Sequence, residues 1–257
     1  MRGVSAGVDT LARVTQPHPP APRPLPTVLG GLFVSFEGGD GAGKSTQSRL
    51  LGEWLVSLGL TVVLTREPGG TDLGRVLRRE VLHGEHVDAR TEALLYAADR
   101  AHHVASLVRP ALAAGSVVVT DRYLDSSVAY QGTGRDLGAQ EVEDLSLWAT
   151  GGLLPALTVL LDLDPAAGLG RLRARPDQPD RLESAGDDFH RRTREAFLAR
   201  AAADPGRWLV LDAARPVAEI AADVRARVTA LLGVEPAGAA GVASDAPGGA
   251  PDAGGAR

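Results

Sequence analysis

FEGGDGAGKST, residues 36–46, fits the phosphate-loop spacing G-x-x-x-x-G-K-[ST], with Gly38, Gly43, Lys44 and Ser45 at the fixed positions. Closely spaced glycines let successive backbone N–H groups turn inward, and the helix that follows presents its positive end to an anion. The motif predicts an ATP cradle made of Gly38, Gly39, Asp40, Gly41, Ala42, Gly43, Lys44, Ser45 and Thr46. Lys44 would reach the β- and γ-phosphates, and Ser45 would ligate Mg2+. The setting supports this reading. Residues 31–37, GLFVSFE, form a short apolar strand pattern, and beyond the loop Leu50, Leu51, Trp54, Leu55 and Leu58 fall at helical spacing.

Further out, residues 60–65, 116–120, 157–163 and 207–212 read as four more strands, separated by helical patterns that include 91–114, 136–150 and 216–232. Such alternation predicts an α/β, P-loop NTPase-type three-layer fold: a five-stranded parallel sheet with helices on both faces and right-handed crossovers. The 257 residues, 44% of them hydrophobic, suit one such domain over 30–233. The proline-rich leader 1–29 (PHPPAPRPLP at 17–26) and the Gly/Ala/Pro tail 234–257 have little to bury and read as disordered. The absence of cysteine excludes disulfides, thiolate metal sites and cysteine nucleophiles. A net charge of -5 argues against a general nucleic-acid surface, and no run reaches the length of a membrane span, so a cytoplasmic protein is expected.

Loops at the C-terminal ends of parallel strands line the ligand crevice, which puts Arg66 and Glu67 of TREPGGT (65–71) at the mouth of the phosphate loop. On the 91–114 helix, Leu94, Ala98, Ala101, Ala105, Val108 and Leu112 make a core stripe or part of a helix-to-helix seam. Tyr96, Asp99, Arg100 and His103 occupy another face, where a ring and a guanidinium one turn apart suit a nucleobase. His102 and His103 lack metal-ligand spacing and read as surface or helix-face residues.

Asp121, at the tip of an apolar strand, is placed to hold hydrated Mg2+ with Ser45, and Arg122 to grip a second phosphate. Ser126, Ser127, Tyr130, Gln131 and Arg135 follow in a polar stretch. Seven arginines lie between 171 and 194, and Pro176 and Pro179 interrupt any helix there. That pattern describes two helices joined by an arginine-bearing lid at about 171–186. Two anion grips around one Mg2+ describe a phosphoryl transferase. A monophosphate acceptor, with a second pKa near ~6, is already nucleophilic at neutral pH, so no general base is needed.

FEGGDGAGKSTQ, TREPGGT, LLYAADR, DRYLDSSVAYQG and the lid together resemble the thymidylate kinases, over roughly residues 31–232. The resemblance implies phosphorylation of dTMP to dTDP by ATP and Mg2+, a step toward dTTP, in a homodimer. It places Asp40 near the deoxyribose 3′-hydroxyl and the metal, and Arg66 and Arg122 near the dTMP phosphate. Glu67, Ser126 and Gln131 join that pocket. Tyr96 would stack on thymine, Arg100 would donate to its O4, and Tyr130 would crowd the 2′ position. Ser127 stands where relatives carry Asn, Thr or Gln against the base. Gly41 and Ala42 occupy loop positions where one branch of the family has arginine, so this chain is similar to the bacterial branch, which draws its catalytic arginine from the lid. Beside Lys44 and Arg122, the candidates are Arg173, Arg175 and Arg181. Another P-loop nucleoside or nucleotide kinase, or a P-loop regulatory ATPase, is the competing reading.

Overall fold

The computed structural model describes residues 30–174 and 180–233. The leader 1–29, the tail 234–257 and five residues of the expected lid, Arg175 among them, lie outside the described residues. Five strands, β1 (Phe33–Glu37), β2 (Val62–Arg66), β3 (Val117–Asp121), β4 (Leu157–Asp162) and β5 (Trp208–Asp212), form one parallel sheet in the order β2-β3-β1-β4-β5. The register sets Phe36 opposite Asp121 and Arg66 opposite the same residue, so the tips of β1, β2 and β3 end level.

Alternation along the strands divides the core. Val34 and Phe36 of β1 join Val119, Val159 and Leu161 in a layer completed by Leu51 and Leu55 of α1 (Lys44–Ser57) and by Ile220, Val224 and Val228 of α9 (Val217–Leu232). Phe33 and Val118 face the other way, against Val104, Val108, Tyr123, Leu124 and Val142. A third cluster, with Tyr96, Tyr130, Phe189, Phe197 and Trp208, ties the acceptor side to α8 (Asp187–Ala203).

Three regions depart from the expected elements. An unanticipated helix, α2 (Asp72–His83), follows the TREPGGT loop, with the Thr71 hydroxyl accepting from Gly74 N at 3.0 Å as its N-cap. Leu73 and Val76 are exposed on it, and Val81 and Leu82 are buried. The polar stretch of Ser126, Ser127, Tyr130, Gln131 and Arg135, to which no element was assigned, is largely helical: α5 (Leu124–Ser127) runs into a π-helical turn over Val128–Gly134 that buries both Tyr130 and Gln131.

The 91–114 pattern is realised as α3 (Ala89–His103), a π-helical turn (Val104–Val108) and α4 (Arg109–Ala113). Its first half turns inside out relative to the core-stripe reading. Leu94, Ala98 and Ala105 are exposed, whereas Glu92, Tyr96, Asp99, Arg100 and His103 are buried. The apolar stripe is not core there because the polar face has partners waiting in the interior. His103, expected as a surface or helix-face residue, is fully buried, with Nδ1 2.8 Å from Glu67 Oε1 and Nε2 2.7 Å from Thr65 Oγ1.

Candidate active site

Each strand ends on a charged residue, and the adjacent tips of β1, β3 and β2 carry Glu37, Asp121 and Arg66. Between them the phosphate loop turns on Gly38 (φ 133), Gly41 (φ 74) and Gly43 (φ 96). A Cβ on Gly38 would lie 2.4 Å from Leu161 O, and one on Gly41 2.4 Å from Gly168 O of α7 (Pro165–Arg173). Gly41 is thus required twice, by its left-handed backbone and by the helix resting on it, which is why this loop has no room for an arginine there.

Helix α1 begins at Lys44 with no side-chain cap and no acid in its first turn. Its N–H groups are left for an external anion. Lys44 Nζ donates to Gly38 O at 3.0 Å and Gly39 O at 2.7 Å. Burial, and then the Arg122 charge, draw its pKa down to about 8. A phosphate would restore it.

Ser45 Oγ donates to Asp121 Oδ2 at 2.5 Å. Among the described residues no group of three or more His, Cys, Asp or Glu could hold a metal. One hydroxyl and one carboxylate at the loop's mouth nonetheless fit Mg2+, which keeps several waters and takes further oxygens from phosphates.

Arg122 is one of two described non-glycine residues with positive φ, at 70°. Its Nη1 donates to Gly38 O (3.2 Å) and Ser126 Oγ (3.0 Å), and its Nη2 to Asp40 and to Tyr130 Oη (3.2 Å). Burial alone would raise the Asp40 pKa, but Arg122 and Lys44 outweigh it and hold this carboxyl below the usual range. Both Asp40 oxygens are engaged, Oδ2 accepting from Tyr130 Oη at 3.0 Å.

The loop opens into a cleft with about 1050 Å³ of empty space, continuous with solvent. Asp40, Gly41, Gly43, Lys44, Ser45, Thr46 and Asp121 line one part of it. Arg66, Glu67, Tyr96, Arg100, Arg122, Ser126, Ser127, Tyr130 and Gln131 line the rest. One cavity therefore contains most of the residues expected from sequence. Gly38, Gly39 and Ala42 do not line it.

Not all of these residues face the cleft as free groups. Glu67 is 3% exposed, and its oxygens take Arg100 Nε (2.8 Å) and His103 Nδ1 (2.8 Å). Arg100, 2% exposed, also donates to Ser146 Oγ (3.2 Å) and Ser127 Oγ (2.9 Å). Gln131 Nε2 donates to Glu92 Oε1 at 2.8 Å, which leaves its carbonyl as the unspent end.

The lid arginines separate. Arg181 pairs with Glu92 at 2.8 Å and is absent from the cleft lining. Arg173 is exposed at the end of α7. Arg171, outside the expected catalytic set, spans from Gly41 O (3.3 Å) to Ala213 O (3.0 Å).

Sequence reasoning overlooked three residues. Glu37, fully buried at the end of β1, accepts from Tyr123 N at 2.8 Å and from Ser126 Oγ at 2.5 Å. Arg78 of α2 lines the cleft and donates to Pro68 O at 3.1 Å. Burial, then the charges of Arg66 and Arg122, lower its pKa, as expected of cations gathered with no anion between them. Glu92 collects Gln131, Arg135 and Arg181. Only Glu37 had a signal within reach, as the acid that ends the strand feeding the phosphate loop.

A triphosphate cradle and a cationic acceptor pocket that share one cleft at the tips of a parallel sheet define a phosphotransferase of the P-loop nucleotide kinase class. The family model described as thymidylate kinase matches residues 36–224. The chain is 62% identical to the thymidylate kinase of Clavibacter sepedonicus over 205 residues, 79% of this chain and 97% of that protein. Identity is 60% to the thymidylate kinase of Leifsonia xyli subsp. xyli, with the same coverage. For that of Cutibacterium acnes it is 54% over 206 residues, 79% of this chain and 99% of that one. The chain belongs to the thymidylate kinase family.

Proposed function

We propose that this enzyme phosphorylates dTMP to dTDP with ATP as donor, in the cytoplasm. The observation that carries the reading is the shared cleft, in which Lys44 and Ser45 lie with Arg66, Arg78, Arg100 and Arg122.

The residues would divide the work as follows. The phosphate loop and Lys44 hold the triphosphate, and Arg66 and Arg122 hold the dTMP phosphate. Ser45 and Asp121 would hold Mg2+, which when bound supplies positive charge to the donor's β- and γ-oxygens. Tyr96 packs on thymine and Arg100 faces O4. Arginine has donors only, so it matches the C4 oxygen and leaves the amino group of cytosine unmatched. The free Gln131 carbonyl and the Ser127 hydroxyl are available to the base N3–H. Tyr130, its hydroxyl spent on Asp40, presents its ring edge to the sugar.

Transfer proceeds by alignment of a dianionic acceptor with the γ-phosphorus, without a general base. Cations stabilise the transferred group, with Arg173, Arg175 and Arg181 as the lid candidates; Arg173 is exposed at the end of α7, whereas Arg181 is tied to Glu92. The exposed apolar face of Leu94, Ala98 and Ala105 supports a homodimer through α3.

A coupled ADP-release assay across dTMP, dUMP, dCMP, dGMP and thymidine tests the assignment. dTMP should be preferred, and a preference for thymidine or dCMP overturns it. ATP hydrolysis of similar rate without any acceptor would favour a regulatory ATPase instead.

A further inference from the structure

We propose that Glu37 is a positioning residue for phosphoryl transfer, which holds the Arg122 turn by its backbone and aims the Arg122 guanidinium through the hydroxyl of Ser126. The inference rests on the reading of Arg122 as a ligand of the acceptor phosphate.

Arg122 adopts a backbone that side-chain-bearing residues rarely choose, φ 70°, directly after the Asp121 strand tip. Something must hold it. Arg122 N donates to Phe36 O (2.9 Å), Thr120 Oγ1 donates to Arg122 O (2.9 Å), and the next amide, Tyr123 N, donates to Glu37 Oε1 (2.8 Å). Of these acceptors, the Glu37 carboxyl is the one that belongs to a side chain. It is fully buried, on the central strand, and moves with the sheet rather than with the loop.

The second oxygen does a different task. Ser126 Oγ lies 2.5 Å from Glu37 Oε2 and 3.0 Å from Arg122 Nη1. A guanidinium has donors only, so toward Arg122 the hydroxyl oxygen must accept, and its one proton goes to Glu37. An ionised Glu37 therefore fixes the hydroxyl in the sense that Arg122 needs. Burial, then the Asp125 charge, push the Glu37 pKa up to about 8 against the pull of Ser126, Arg122 and the Tyr123 amide, so the ionised form prevails above that value and the variants are compared at a pH of about 9.

Glu37→Gln isolates this role. The amide keeps the size and can still accept from Tyr123 N, but its NH2 would donate to Ser126 Oγ and leave the hydroxyl proton pointing at Arg122. The full chain and its E37Q, S126A, E37Q/S126A and R122A variants are assayed for kcat and for KM toward dTMP and ATP. E37Q should raise the KM for dTMP by roughly tenfold or more, the order seen when a supporting hydrogen bond behind a ligand group is lost. The KM for ATP should stay within about twofold, and the double variant should be no worse than its more damaging single, because both changes cut one relay.

Equal movement of both KM values, no movement of either, or effects of E37Q and S126A that multiply would each overturn the proposal. Should E37Q fail to fold, S126A alone must raise the KM for dTMP several-fold, and an unchanged value sinks the relay. An unaltered KM for dTMP in R122A would refute the phosphate-site reading itself. An impaired R122A beside an unimpaired E37Q refutes only the role of Glu37.

Discussion

On the proposed reading, the two halves of the cleft grip anions by different means. The donor half is contiguous in sequence: backbone N–H groups and Lys44, all within one turn and the start of α1. Its acceptor counterpart collects Arg66 from a strand tip, Arg78 from α2, Arg100 from α3 and Arg122 from a strained turn. A backbone cradle is set by local conformation and needs little support. Converging arginines repel one another, and three of these four are held by a carboxylate or a carbonyl. Asp40 serves Arg122, Glu67 serves Arg100, and the Pro68 carbonyl serves Arg78.

Separate substitutions break that contrast most sharply. Arg122→Ala is expected to lower kcat/KM for dTMP by about 10³-fold or more, the scale of removing an arginine that faces a transferring phosphoryl group. The unfolding midpoint should shift by less than about 4 °C, the equivalent of roughly 1 kcal/mol for a chain of this size. Lys44→Ala should cut kcat by about 10² to 10³ and raise the KM for ATP while leaving that for dTMP near its starting value. Steady-state kinetics with each substrate varied in turn decides whether the two grips are separable, and equal damage to both affinities would show that they are not.

Gly41→Arg copies the loop of the other branch of the family onto this backbone. The left-handed φ and the 2.4 Å approach to Gly168 O predict a cost of about 2 to 4 kcal/mol in urea unfolding. A gain in activity with no loss of stability would show that α7 yields more readily than its packing implies.

The support beneath the acceptor pocket has a pH signature. Burial, and then the Glu67 charge, raise the Asp99 pKa to about 6 from an ordinary 3.8, although the Gly69 amide donates to it at 3.3 Å. Between those values the native state holds more protons than the unfolded one, so stability falls as pH rises through that window. The loss amounts to at most about 3 kcal/mol. Asp99→Asn should flatten the difference in unfolding free energy measured between pH 4 and 6. A retained slope would place the proton elsewhere.

The smallest effect is expected from trimming to residues 29–233, with kcat/KM within about twofold. The stretch matched to the relatives covers 79% of this chain and 97% to 99% of theirs, which leaves the flanks without a counterpart in the kinase domain. Loss of turnover on trimming would give the flanks a role in one of the two grips.

Unaided, the chain's residue pattern determined the five strands, their parallel arrangement, the phosphate loop and the Ser45 and Asp121 pair. Each of these follows from local periodicity, from spacing within a few residues, or from the rule that parallel strands bring their C-terminal ends to one crevice. Tertiary structure alone decided which face of α3 turns inward. A Tyr, Asp, Arg and His face is buried there because Glu67, Thr65, Ser127 and Ser146 arrive from other elements to satisfy it. Periodicity records hydrophobicity along one segment and carries no information on whether a distant partner will repay the desolvation of a charge. For the same reason Glu92 was silent in the sequence, and the strand-tip position of Glu37 did not disclose its partners: the meaning of both lies in the donors that surround them, up to 89 residues away.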